Sequence, residues 1–275
     1  MTGRHAGSAR GLGRRAARLV WLGAWLLPGP AGASEAQPMR IVFVGDSLVN
    51  RSQQDHGLLA LVKQDLERSR TDLAFELVNA GVNGNCIADI RARLTRDVLA
   101  RQPAAVVLYW DSDAADVEAA GELPARSREL RQAYRSNLEA VLAALGSATS
   151  QVLVTGPTLL GERAHGRNPK DHVLDVYARI NRRACRRARA IWIDTRRTAF
   201  HWLRQNATPD DRDSRLLTED GEHLNAAGVA LVAGEISAAL ATQWEAPAHT
   251  ARAGRAAELP PLRSGSPADT SGSTP

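Results

Sequence analysis

The chain is poor in cysteine, lacks an internal repeat, and has no apolar run long enough to cross a membrane. Its two cysteines, Cys86 and Cys185, do not establish a disulfide, and they read as unpaired, partly buried thiols. The run Leu19–Leu27 is nine residues, whereas a bilayer-spanning helix needs about 20. Outside the first residues there is also no excess of either charge. The formal net charge is +5, and residues 1–33 carry five arginines and no acid, which accounts for all of it. From Glu245 onward three arginines meet three acids, so the body between is neutral. That excludes a nucleic-acid-binding surface as the reason for the high isoelectric point.

What is present begins with a leader. Arg4, Arg10, Arg14, Arg15 and Arg18 precede the nine-residue apolar stretch, and Ala31-Gly32-Ala33 follows it. A positive segment, a short apolar core and an Ala-x-Ala site read as a signal peptide over 1–33, cleaved before Ser34. The mature chain is therefore expected to be secreted or lumenal/periplasmic, with no membrane span left after cleavage. Residues 245–275, rich in Pro, Ala, Ser and Gly, show no apolar period and are expected to be disordered. One domain over 38–244 remains, about 210 residues, enough for a sizeable core.

Within that domain strands and helices alternate. Apolar, β-branched runs predict strands at 40–45, 75–79, 105–110, 151–155 and 190–194. Helical periods predict helices at about 54–68, 87–101, 126–145, 173–189, 198–205 and 226–241. This alternation implies a three-layer α/β/α sandwich around a central parallel sheet of about five strands. The basic run Arg182-Arg183-Ala184-Cys185-Arg186-Arg187-Ala188-Arg189 reads as a solvated helix face, with Ile180, Ala184 and Ala188 inward.

The chemistry-bearing residues lie at the two ends of this domain. Ile41-Val42-Phe43-Val44 reads as a strand covered on both faces. Gly45 permits a tight turn directly after it, and Ser47 follows at the strand's C-terminal edge, where ligands bind in open α/β sheets. The same tripeptide, Gly-Asp-Ser, also suits an ordinary turn or helix N-cap. A serine hydroxyl needs a base within hydrogen-bond reach, and histidine suits that task near neutrality. His223 stands three positions after Asp220 and just before an apolar helical pattern, so one turn could supply both the base and its orienting acid. The competing reading is a solvated loop in which Asp220 caps that helix.

Taken together these stretches resemble the SGNH or GDSL-type hydrolases. Gly45-Asp46-Ser47-Leu48 is similar to the block that carries the nucleophile. Asn79-Ala80-Gly81-Val82-Asn83-Gly84-Asn85 is similar to the second block, whose later glycine gives a backbone N–H to the oxyanion, here Gly84. Asp220-x-x-His223, with Leu224, Asn225 and Gly228, is similar to the last block. The resemblance runs from about Arg40 to about Leu240 and includes Thr155–Glu162 through Tyr177. It implies a serine esterase of SGNH-hydrolase, flavodoxin-like fold, without cofactor or metal. Ser47, Asp220 and His223 would be catalytic, acting on a small-molecule, carbohydrate or lipid ester, in a chain expected to be a monomer.

One block departs from the family pattern. Its Gly-x-Asn-Asp is replaced by Asp111-Ser112-Asp113-Ala114, which places Asp113 where the third oxyanion donor belongs. An ionised carboxylate cannot donate, and loss of one such donor typically costs about 10²–10³ in turnover. Burial could hold Asp113 neutral, or Ser112 or a backbone N–H could replace it. An apolar strand ending in Asp-x-Asp also resembles phosphoryl-transfer enzymes of the haloacid-dehalogenase type. A metal-dependent phosphohydrolase built on Asp111 and Asp113 is thus one alternative, and a non-catalytic binding member of the same fold is another.

Overall fold

Five apolar runs become strands in the computed structural model, which describes residues 37–53, 57–110, 127–149, 151–157, 159, 162, 171–207, 215–221 and 223–244. They are β1 (Met39–Gly45), β2 (Phe75–Gly81), β3 (Ala105–Tyr109), β4 (Gln151–Thr155) and β5 (Ile191–Ile193). All pair in parallel, in the order β2-β1-β3-β4-β5. Ile41, Val42, Phe43 and Val44 are fully buried, as expected of a central strand covered on both faces.

The period of two along β1 sorts its side chains into two cores. Val42 and Val44 pack with Val106, Leu108, Val152 and Val154 under α3 (Ile87–Asp97), α4 (Ser127–Ala148) and α5 (Asp171–Ala188). Ile41 and Phe43 pack with Val107 and Leu153 under α2 (Leu58–Ser69) and α7 (Ala226–Ala241). The result is the expected three-layer α/β/α sandwich. A smaller cluster of Leu159, Leu203 and Leu217 seats α6 (Thr195–Asn206).

Boundaries moved where caps and turns overrode periodicity. The helix expected from 54 starts at Leu58, after Gly57, and residues 54–56 lie outside the described set. The helix expected through 101 ends at Asp97, and Leu99–Arg101 tightens into a 3₁₀ turn. Strand β5 stops at Ile193 because the Asp194 side chain accepts from Arg197 N and starts α6 at once. In α5, Ile180 and Ala184 are buried as expected, but Ala188 is exposed and Cys185 takes the inward place. Both cysteines are free, and burial pushes the Cys185 thiol up to about 12. Residues 1–36 and 245–275, together with Asp111 and Asp113, lie outside the described residues. Among the described residues no helix is long and apolar enough to cross a membrane.

Strand order fixes where a site can form. The chain leaves β1 for β2 on one side and returns to β3 on the other, so the crevice opens beyond the C-terminal ends of β1 and β3. Ser47 follows β1 by two residues.

Candidate active site

The end of β1 has no room for a side chain. A Cβ on Gly45 would lie 1.7 Å from the Tyr109 carbonyl oxygen, so only glycine lets β1 and β3 converge there. Asp46 then caps α1 (Ser47–Asn50), its Oδ1 accepting from Leu48 N at 2.9 Å. The N-cap reading of Gly-Asp-Ser is therefore correct, and it is compatible with a nucleophile. Capping makes Ser47 the first helical residue, where backbone N–H groups have no acceptor within the helix. An N–H at this position suits an oxyanion.

The loop after β2 is tied to the same helix. Val82 N donates to Gly45 O at 3.0 Å, and Asn50 Nδ2 donates to Asn83 Oδ1 at 2.8 Å. Asn79 Nδ2 reaches Val49 O at 2.7 Å while its Oδ1 accepts from Gly81 N at 2.8 Å. Asn85 N closes a turn on Val82 O at 3.2 Å, with Gly84 as the turn's third residue at φ +69°. Positive φ at that position is what a type II turn demands. A Cβ on Gly84 would meet nothing within 4 Å, so backbone conformation rather than crowding selects glycine.

The loop before α7 holds the acid and the base. His223 Nδ1 lies 2.6 Å from Asp220 Oδ2, and His223 N donates to Asp220 Oδ1 at 2.8 Å. Both carboxylate oxygens thus serve His223. The reading of Asp220 as cap of the next helix is overturned, because Asn225 caps α7 by accepting from Ala227 N and Gly228 N. Asn directly before an apolar helical pattern was the signal for that cap. His223 is mostly buried, whereas Asp220 is half exposed. A cavity of about 340 Å³ lies between α1 and the acid–base loop, lined among others by Leu48, Ser52, Tyr109, His223 and Asn225; His223 lines it, whereas Ser47, Gly84 and Asp220 do not. A larger cavity of about 620 Å³, between α5 and α6, is lined by Arg179, Trp192 and Arg197 and touches none of the expected site residues.

The residue that holds the acid–base loop in place carries no motif in the sequence. Glu162 is buried and its carboxylate accepts from Leu216 N, Leu217 N and Thr218 N at 2.5, 2.9 and 2.6 Å. It also accepts from Thr218 Oγ1 at 2.5 Å. Partners more than 50 positions away in sequence leave no periodic trace. The expected oxyanion residue Asp113 and the expected phosphohydrolase pair Asp111/Asp113 lie outside the described residues. Among the described residues no cluster of three or more His, Cys, Asp or Glu side chains could hold a metal ion.

Comparison with known proteins bears on the family and the fold. The model of the GDSL-like Lipase/Acylhydrolase family matches residues 43–231. An acetylxylan esterase of Geobacillus stearothermophilus is 24% identical over 219 residues, covering 74% of this chain and 95% of that protein. The crystal structure of the acetyl xylan esterase AlAXEase superposes with a TM-score of 0.65 at 28% identity, over 73% of this chain and 99% of that one. Solved forms of the Geobacillus esterase include a catalytic mutant with a serine replaced by alanine, with a TM-score of 0.60 at 20% identity over 74% of this chain and 94% of that one. At that identity the likeness concerns the fold. Neither alternative reading is favoured by these relationships. With a parallel five-stranded sheet in this order and a family model spanning most of the domain, the chain belongs to the GDSL-like lipase/acylhydrolase family and is a hydrolase of ester bonds.

Proposed function

We propose that this chain is a secreted serine esterase that removes short acyl groups, acetyl above all, from carbohydrate esters through Ser47, His223 and Asp220. The observation that carries the reading is the Asp220–His223 pair at 2.6 Å, set on a cavity that also includes Leu48, the residue after Ser47. The acetylxylan esterases among its relatives motivate the acetyl group and the carbohydrate alcohol. The leader over 1–33 motivates export.

In this mechanism Ser47 Oγ attacks the ester carbonyl carbon while His223 Nε2 takes the hydroxyl proton. Asp220 fixes the tautomer by accepting from Nδ1 and stabilises the imidazolium that forms. The carbonyl oxygen becomes an oxyanion held by the N–H groups of Ser47 and Gly84. Collapse breaks the ester C–O bond, and His223 passes its proton to the leaving alcohol. Water then attacks the acyl-enzyme with His223 again as base, releasing the acid and restoring Ser47. Asp113 would complete the oxyanion hole only as a neutral acid. On that reading Asp113→Asn keeps or raises turnover near pH 8, since the amide is a permanent donor.

The test is a series of esters of increasing acyl length, together with acetylated xylo-oligosaccharides, on wild type and Ser47→Ala. The proposal expects the highest kcat/KM on acetyl esters and near-complete loss in the variant. A preference for long acyl chains would overturn the substrate class. Undiminished turnover by Ser47→Ala would overturn the mechanism.

A further inference from the structure

Arg93 is a cation on the inward face of α3, 8% exposed, in register with buried Ile90 and Leu94. Burying a guanidinium is costly unless its donors are satisfied, and here all three nitrogens are engaged. Nε donates to Asn85 Oδ1 at 2.6 Å, Nη1 to Ala80 O at 2.7 Å and Asp97 Oδ2 at 3.2 Å, and Nη2 to Gly45 O at 3.0 Å. Asp97 supplies the countercharge, itself gripped by Arg96 at 2.6 and 3.0 Å.

The three neutral acceptors share a location. Gly45 precedes Ser47 by two residues, Ala80 is the last residue but one of β2, and Asn85 adjoins Gly84. Gly45 O also accepts from Val82 N, so the exit of β1, the turn bearing Gly84 and the guanidinium close one hydrogen-bonded ring. We infer that Arg93 is a positioning residue for ester hydrolysis: its planar fork fixes the N–H of Ser47 and the N–H of Gly84 relative to each other, so that both meet the same oxyanion. This rests on the serine-esterase reading above. Lysine cannot replace it, because one ammonium cannot serve three acceptors arranged around a planar fork.

A purely structural arginine would cost stability and leave turnover per folded molecule intact. A positioning arginine lowers kcat while KM holds, because the oxyanion develops in the transition state and not in bound substrate. The experiment uses the full chain as wild type, Arg93→Ala, Arg93→Lys and Asn85→Ala. Active sites are titrated by the end-point of fluorophosphonate labelling, and kcat, KM, labelling rate and Tm are measured for each. Per titrated site, Arg93→Ala should lose about 10- to 100-fold in kcat with KM within about threefold, since small misplacements of oxyanion donors cost that much. Asn85→Ala should lose less, and guanidinium ion at non-denaturing concentration should partly restore Arg93→Ala but not Arg93→Lys. If Arg93→Ala does not fold, Arg93→Lys and Asn85→Ala decide the matter. Wild-type kcat per titrated site in the folded variants, whatever their Tm, would overturn the inference and leave the esterase reading standing. A wild-type protein that takes no label on Ser47 would overturn both.

Discussion

Replacing Glu162 by glutamine perturbs the acid–base loop without touching Asp220 or His223. In the native chain Oε1 accepts from Leu217 N, Thr218 N and Thr218 Oγ1, and Oε2 from Leu216 N. Glutamine keeps the shape, so one oxygen can retain the first set. Its NH₂ then faces the Leu216 N–H, donor against donor, and the charge that strengthened every bond is gone. A buried polar group left unsatisfied costs about 1–3 kcal/mol, and hydrogen bonds to a charged group carry about 1.5–3 kcal/mol. The expected loss is therefore roughly 2–4 kcal/mol, or about 5–15 °C in Tm for a domain of this size. Alanine strands all the donors and should cost more, a large share of the 5–15 kcal/mol that holds an ordinary domain together. Thermal and urea unfolding measure the stability, and turnover on an acetyl ester measures the consequence. Because Thr218 precedes Asp220 by two residues, the folded fraction of Glu162→Gln should also lose about tenfold or more in kcat through misplacement of His223. A glutamine variant with wild-type Tm and wild-type kcat would show instead that the loop is held by other contacts.

Three further outcomes are expected. Asp220→Asn should fold normally, since the side chain is half exposed, yet lose about 10³–10⁴ in turnover as His223 loses its anionic orienter; a loss below about tenfold would contradict the role. Gly84→Ala forces a side chain to φ +69° with no steric neighbour, so about 1–2 kcal/mol should be lost to conformation alone, with turnover falling further; full turnover would remove Gly84 from the oxyanion hole. The Asp97 carboxyl is held down to about 2, chiefly by the bond from Arg96 and then by Arg93, against the opposing effect of burial. A depressed carboxylate stabilises the fold above its ordinary value near 4 and loses that contribution as pH falls toward 2. Urea midpoints of wild type and Asp97→Asn should accordingly differ at neutral pH and converge on acidification, whereas a constant gap across that window would contradict the account.

Much of the fold was legible because buried parallel strands write themselves as apolar, β-branched runs. Ile41–Val44, Ala105–Tyr109 and Gln151–Thr155 fell where expected. Strand order was not legible, since each run is compatible with several neighbours. The one-turn helix after Asp46 was hidden as well, because four residues carry no period and only the cap marks it. In the site, Ser47, Asp220 and His223 stood out as local patterns and Gly84 came with the family resemblance; the structure ties Asp220 to His223 and the Gly84 turn to the Ser47 helix. The residues that hold those loops were missed for a common reason. Arg93 reaches Gly45 across 48 positions and Glu162 reaches Thr218 across 56, and contacts at that separation have no sequence signature. Arg93 did leave one clue, a charge at an inward position of an otherwise amphipathic helix.

If Ser47 is the nucleophile, its Oγ is the atom that an electrophilic phosphonate must capture. Wild-type protein would be incubated with a fluorophosphonate, digested, and the adduct located by mass spectrometry, with Ser47→Ala and His223→Ala in parallel. One adduct per chain on Ser47, slow labelling in His223→Ala, and neither adduct nor turnover in Ser47→Ala are expected. An adduct on another residue, or ester hydrolysis that persists in Ser47→Ala, would contradict that role.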